Sequence, residues 1–161
     1  MSLPEEKESE FMCRANELAT LSVQKGCGPF GCVITDIKYK KVAEGNNQVT
    51  EWNDPTAHAE IVAIRNACKE LGTFDLSSCR LFSSCEPCPM CLSAIYWARI
   101  KHVYYGNTRH DAKDIGFDDA FIYEELTKDV KDRTVLLKRV RSDNEMDSFK
   151  LWTESDKKIE Y

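Results

Sequence analysis

Two short segments, His58-Ala59-Glu60 and Pro87-Cys88-Pro89-Met90-Cys91, bring together one imidazole, two thiols and one carboxylate. His nitrogen and Cys sulfur are the donors that Zn²⁺ prefers, in tetrahedral geometry. With His58, Cys88 and Cys91 as ligands, a fourth position stays open, as it does in catalytic zinc sites and does not in structural ones. Zinc in an open site lowers the pKa of a bound water to about 7, which makes hydroxide available at neutral pH. Glu60 lies two residues past the imidazole, a poor position for a fourth ligand and a good one for carrying a proton. Pro89 suits the first turn of a helix, where its missing N–H costs nothing. Cys88 and Cys91 then sit at a helix start, whose positive dipole end favours thiolates. Two other readings compete for the same residues. The Cys-x-x-Cys pair could be a redox dithiol or two inert buried thiols. Cys85 completes a ladder with Cys88 and Cys91, and with His58 it could close a structural Cys₃His site, which would leave Glu60 without a role.

The periodicity of the chain supplies elements to hold these groups. Phe11, Met12, Ala15, Leu18, Ala19 and Leu21 recur at helical spacing, predicting an amphipathic helix from about Glu5 to Lys25. Gly26 to Gly31 breaks it and leads into a strand at Cys32–Thr35. A polar turn at residues 38–41 returns through Val42–Glu44, so the first two strands pair antiparallel. The polar stretch 46–56 reads as a loop placed for substrate contacts just before the first ligand. A second helix runs from His58 to Leu71 and stops at Gly72. A strand over residues 80–84, a helix over 89–99 and a strand over 102–105 follow. A short helix is expected at 118–126, a last strand at 134–140, and a polar tail from 144 to 161 with helical character around 149–153. Alternation of helices and strands predicts an α/β fold in one domain spanning residues 1–161, with a five-stranded sheet between helical layers. The ligands would come from the starts of two neighbouring helices at one end of that sheet.

Composition bounds the partners. The chain has 161 residues, 42% hydrophobic and 30% charged, with 27 acidic and 22 basic residues and a net charge of −5. No basic stripe marks a grip on a phosphate backbone, so no nucleic acid is expected as substrate. No apolar run approaches a membrane span. Eight cysteines are scattered without the look of a disulfide framework, and the first ten residues are acidic and polar. Both features point to a reducing, cytoplasmic setting. Met1-Ser2-Leu3 has the look of an expression remnant.

His-x-Glu followed by Pro-Cys-x-x-Cys is the signature of zinc nucleobase deaminases. On these residues the chain resembles the cytidine-deaminase-like superfamily. Longer strings make it most similar, within that superfamily, to bacterial guanine deaminases. They are Gly28-Pro29-Phe30-Gly31, Asn53-Asp54-Pro55-Thr56-Ala57-His58-Ala59-Glu60, Ser84-Cys85-Glu86-Pro87-Cys88-Pro89-Met90-Cys91, Ala94-Ile95-Tyr96-Trp97-Ala98-Arg99, Gly116-Phe117-Asp118-Asp119, Phe121-Ile122-Tyr123 and the terminal Glu160-Tyr161. Residues 127–157 match poorly apart from length. The resemblance implies a three-layer α/β/α cytidine-deaminase-like fold with a mixed sheet. It implies one zinc per chain on His58, Cys88 and Cys91, and Glu60 as proton shuttle. It implies that Asn47 hydrogen-bonds a purine base, that Phe30 and Trp97 line the ring pocket, and that Asp119 and Tyr161 select guanine. It also implies a homodimer whose C-terminal segment, about residues 144–161, crosses to the partner and closes its site. The same motifs are open to guanosine, cytosine, cytidine or aminotriazine hydrolysis, and to adenosine deamination in transfer RNA.

Overall fold

The structure is a computed structural model that describes residues 3–161; Met1 and Ser2, part of the suspected expression remnant, lie outside the described residues. The chain runs α1 (Leu3–Gln24), β1 (Gly31–Asp36), β2 (Lys41–Asn46), α2 (Val49–Trp52), α3 (Ala59–Leu71), β3 (Cys79–Cys85), α4 (Pro89–Trp97), β4 (His102–Asn107), α5 (Arg109–Asp114), α6 (Ala120–Thr127), a 3₁₀ turn (Val130–Asp132) and α7 (Asp147–Glu154). The strands form one sheet in the order β2-β1-β3-β4. β1 is antiparallel to both β2 and β3, whereas β3 and β4 are parallel, linked by α4.

Alternation along the central strands divides the core into two faces. Val33 of β1 and Phe82 of β3 pack with Phe11, Ala15 and Leu18 of α1. Cys32, Ile34 and Leu81 point the other way, onto Ala59, Ala63 and Ala67 of α3 and Ile95 of α4. Helices therefore cover both faces of the sheet, as the alternating pattern required. Two glycines let the helices approach the strands closely. A Cβ on Gly31 would stand 2.2 Å from the Ala15 carbonyl oxygen, and one on Gly45 would stand 2.6 Å from the Ala59 carbonyl oxygen and the Ala63 nitrogen. The contact at Gly45 fixes the first turns of α3, which carry Glu60, against the sheet.

Register gathers the functional segments at one end. Gly31 pairs with Asn46 and Cys32 with Ser83. The entry to β1, the exit of β2 and the exit of β3 therefore meet there, carrying Phe30, Asn47 and the 85–88 segment. Two helices not foreseen in the sequence complete this end. α2 is a single turn inside the expected loop. α5 is started by a capping box in which the Thr108 hydroxyl and the Asp111 carboxylate exchange hydrogen bonds with each other's backbone N–H.

The expected fifth strand is corrected: the described sheet has four strands. Residues 134–140 form no ladder, and Leu136 and Val140 remain 85% and 78% exposed. An apolar run becomes a strand only where a sheet edge offers it hydrogen bonds and a neighbour covers its side chains. Among the described residues, 134–140 pair with no strand and their apolar side chains stay uncovered.

Candidate active site

His58 and Cys88 occupy the N-cap positions of α3 and α4, in extended conformation. N-cap positions usually carry Ser, Thr, Asp or Asn, whose side chains accept from the helix backbone. His58 and Cys88 make no such capping bond. Both helix starts have given up a cap, which leaves the ring nitrogen and the thiol for other partners. Pro89 stands at the start of α4 and Cys91 lies in its first turn, as the sequence predicted.

The three side chains meet. His58 Nδ1 lies 3.5 Å from Cys88 Sγ and 3.5 Å from Cys91 Sγ. The three donor atoms lie within 4.8 Å of one another and form a possible metal site. A tetrahedral zinc with Zn–N of 2.0–2.1 Å and Zn–S of about 2.3 Å requires an N···S edge of about 3.5 Å. The donor set and its spacing fit zinc without rearrangement. Cys85 stays outside the cluster; its buried thiol donates to the Thr108 carbonyl at 3.6 Å, and burial raises its pKa to about 11. The closed Cys₃His arrangement is therefore absent among the described residues, and a fourth coordination position remains. Cys91 and the His58 ring beside it lower the Cys88 pKa to about 4. A bound metal deprotonates its coordinating thiols outright.

Glu60 stands next to this cluster and not in it. Its side chain is buried; Oε1 accepts from the Ser83 hydroxyl at 3.0 Å and Oε2 accepts from Cys91 Sγ at 3.4 Å. Burial raises its pKa. A carboxyl group with a raised pKa gives up and regains a proton more readily near neutrality than an exposed one, as proton transfer in catalysis requires. Ser83 was not foreseen. Its signal was present, since it is a hydroxyl on the strand face that otherwise carries Cys79 and Leu81 into the core.

A cavity of about 790 Å³ opens over these groups, lined among others by Phe30, Asn47, His58, Glu60, Cys88 and Asp119. Six of the predicted site residues thus share one cavity, and Cys91 adjoins two of them, His58 and Cys88. Asn47 is buried and its Oδ1 accepts from the Val49 N–H at 3.1 Å, which fixes the rotation of the amide. Phe30 meets Phe117 edge to face, with centroids 5.0 Å apart at 86°, and both rings line the cavity. Phe117 was seen in the sequence only as part of a matching string. Asp119 is the N-cap of α6; its Oδ1 is buried without a hydrogen-bond partner, and burial, with the Cys88 charge adding to it, raises its pKa. A buried oxygen without a partner is costly, and the residue that carries it lines the cavity.

Trp97 and Tyr161 are elsewhere. Their rings lie 5.8 Å apart, with Phe74 6.3 Å from Tyr161, and they line a second concavity of about 430 Å³ with Trp152 and Glu160. Neither reaches the cavity over the metal site of its own chain.

Comparison with known proteins agrees with this geometry. Residues 5–107 match the family described as the cytidine and deoxycytidylate deaminase zinc-binding region. The chain is 49% identical over 152 residues to guanine deaminase of Bacillus subtilis strain 168, covering 94% of this chain and 97% of that one. Superposed on the X-ray structure of the Bacillus subtilis guanine deaminase, it gives a TM-score of 0.90 over 95% of this chain and 98% of that one. It is also 37% identical over 119 residues to the tRNA-specific adenosine deaminase of Haemophilus influenzae, covering 71% of this chain and 69% of that protein. A His-Cys-Cys cluster with a free position, a buried carboxylate beside it and a match over most of the chain lead to one assignment: the chain belongs to the cytidine and deoxycytidylate deaminase zinc-binding family.

Proposed function

We propose that the protein is a zinc-dependent guanine aminohydrolase, converting guanine and water to xanthine and ammonia. The chemistry is carried by one observation, a buried Glu60 carboxylate beside, and not within, the His58, Cys88 and Cys91 cluster. The substrate class follows from the match to guanine deaminase over nearly the full length of both chains.

His58, Cys88 and Cys91 would hold the zinc, one per chain, which supplies the Lewis acidity that makes water reactive near neutral pH. The chain's own groups do the rest. Phe30, braced by Phe117, offers its ring to the purine face. Asn47 and Asp119 meet the polar edge of the base. Glu60 takes a proton from the water and passes it to the ring nitrogen beside C2, so that no charge accumulates there. A C–O bond forms at C2, the C2–N bond to the exocyclic amine breaks, and the second proton leaves with the amine as ammonia. The Ser83 hydroxyl holds Glu60 in the orientation for both transfers.

Trp97 and Tyr161 act, on this reading, in the partner's site as a pair. Three observations support a swapped homodimer. Trp97 and Tyr161 are 65% and 71% exposed and lie together outside their own cavity. Apolar side chains crowd the tail without cover, among them Leu136, Leu137, Val140, Phe149 and Leu151. β4 ends the described sheet with an unpaired edge, which proteins seldom leave open. The 134–140 segment of a second copy suits that edge and would supply the missing fifth strand, and its chain end would close the cavity. A cytoplasmic setting fits the eight unpaired cysteines; among the described residues no helix is long and apolar enough to cross a membrane.

A substrate panel tests the assignment. Guanine, guanosine, cytosine, cytidine, an aminotriazine and a transfer-RNA anticodon stem are offered to the zinc-loaded enzyme and ammonia is measured. Guanine is expected to be the best substrate, with no useful turnover of the RNA. Faster deamination of adenosine in RNA than of free guanine would overturn the assignment.

A further inference from the structure

The segment that presents Cys88 is held from outside the site by two residues with no part in the chemistry described above. The Tyr123 hydroxyl, on α6, donates to the Pro87 carbonyl at 2.8 Å. The Arg109 guanidinium lies over the Tyr123 ring at 3.8 Å from its centroid. The same guanidinium donates to Glu86 Oε1 from Nε at 3.1 Å and from Nη2 at 2.6 Å, and the Arg109 backbone N–H donates to Glu86 Oε2 at 3.0 Å. The Glu86 N–H in turn donates to the Asn107 carbonyl at 2.8 Å, at the exit of β4. The two residues preceding Cys88 are thus tied to α5, α6 and β4.

The tie runs in both directions. Asp119, the cavity residue with the partnerless oxygen, lies one turn before Tyr123, and its carbonyl accepts from the Tyr123 N–H at 3.3 Å. α6 therefore joins the ligand segment at one residue and the cavity at another. Displacing α6 from Pro87 would move Asp119 relative to Cys88. In metal sites, groups that orient the ligands without touching the metal typically matter by 10–100-fold in affinity or activity.

We infer that Tyr123 is a positioning residue whose hydroxyl locks the Cys88-bearing backbone to α6, holding the metal ligand and Asp119 in one frame. The part concerning Asp119 rests on the guanine aminohydrolase reading; the part concerning Cys88 stands on the metal cluster alone.

The test is Tyr123→Phe, which removes one oxygen and keeps the ring under Arg109. Zinc release from the loaded full-length protein to excess chelator is followed first. Release about 10-fold faster than wild type is expected. Tyr39→Phe is the control, since it deletes a hydroxyl bonded to Glu8 at 3.0 Å, on the α1 face of the sheet. It lowers stability without changing zinc release. The second readout is kcat/KM on guanine in a double-mutant cycle with Asp119→Asn. Tyr123→Phe alone is expected to lower kcat/KM about 10-fold, and to have much less effect once Asp119 is replaced. Zinc release at the wild-type rate in Tyr123→Phe overturns the inference. Faster release with losses that simply multiply in the cycle overturns the link to Asp119. A wild-type protein inert on guanine, with zinc release still faster in Tyr123→Phe, overturns the substrate assignment and leaves the Cys88 lock standing.

Discussion

Glu60→Ala is expected to abolish most turnover while leaving zinc and fold in place. Each proton transfer by a positioned side chain is typically worth 10²–10⁴-fold. In the proposed mechanism Glu60 serves two transfers, so kcat should fall by at least about 10³-fold, with KM little changed. Zinc content should stay near one per chain, because Glu60 lies outside the His58, Cys88 and Cys91 cluster. The substitution leaves Ser83 Oγ without the acceptor it has in Glu60 Oε1, at a cost of about 1–3 kcal/mol. Removing a buried carboxyl group whose burial disfavours its charge offsets part of that cost. Glu60→Gln, which keeps the volume and an acceptor, should be as inactive as Glu60→Ala and more stable. Elemental analysis, thermal unfolding and steady-state kinetics separate these effects. Loss of zinc in Glu60→Ala would mean that the carboxylate is a ligand, and the division of roles proposed here would be wrong.

Removing residues 156–161 is expected to be nearly as damaging, for a different reason. Tyr161 lies beside Trp97 and outside its own metal cavity, so on the swapped-dimer proposal the deletion strips a group from the neighbour's site. An open cavity admits bulk water and loses a contact that distinguishes the correct base. Guanine turnover should drop strongly with zinc retained. The informative experiment mixes tail-deleted chains with Glu60→Ala chains. In a mixed dimer one site has an intact Glu60 and receives an intact tail from its partner. With free exchange at equal concentrations half the dimers are mixed and one site in each is complete, so about a quarter of wild-type activity should return. No recovery from a mixture shown to exchange subunits would place the tail on its own subunit.

The parts of the fold legible in the sequence are those whose signal is local. The three ligands and Glu60 lay in two segments whose chemistry is set by residue type and spacing. α1, α3 and the central strands showed the period of the surface they bury, and Gly72 closes α3 with a positive φ of 65°. The capping residues were less legible. The second helix was expected to begin at His58, yet His58 is its N-cap, and Cys88 caps α4; both have poor capping propensity. Local rules tend to fail at functional sites, because the side chain is needed elsewhere. Residues 134–140 misled for the opposite reason. Val135, Leu136, Leu137 and Val140 have strand character, but a strand forms only against a sheet edge, and in the described chain the segment lies against none. Trp97 is a different case: the motif match gave it a place in the ring pocket, and it lies outside the cavity of its own chain. The ties through Tyr123 and Arg109 were invisible, since each depends on contacts between elements far apart in sequence.

The most direct test of the account follows guanine by ultraviolet absorbance and ammonia by a coupled assay, with protein stripped of metal and then titrated with zinc. Stripped protein should be inactive, and activity should return in proportion to zinc up to about one equivalent per chain, yielding one xanthine and one ammonia per guanine consumed. Full turnover by thoroughly stripped protein, or no ammonia from guanine at any zinc level, would contradict it.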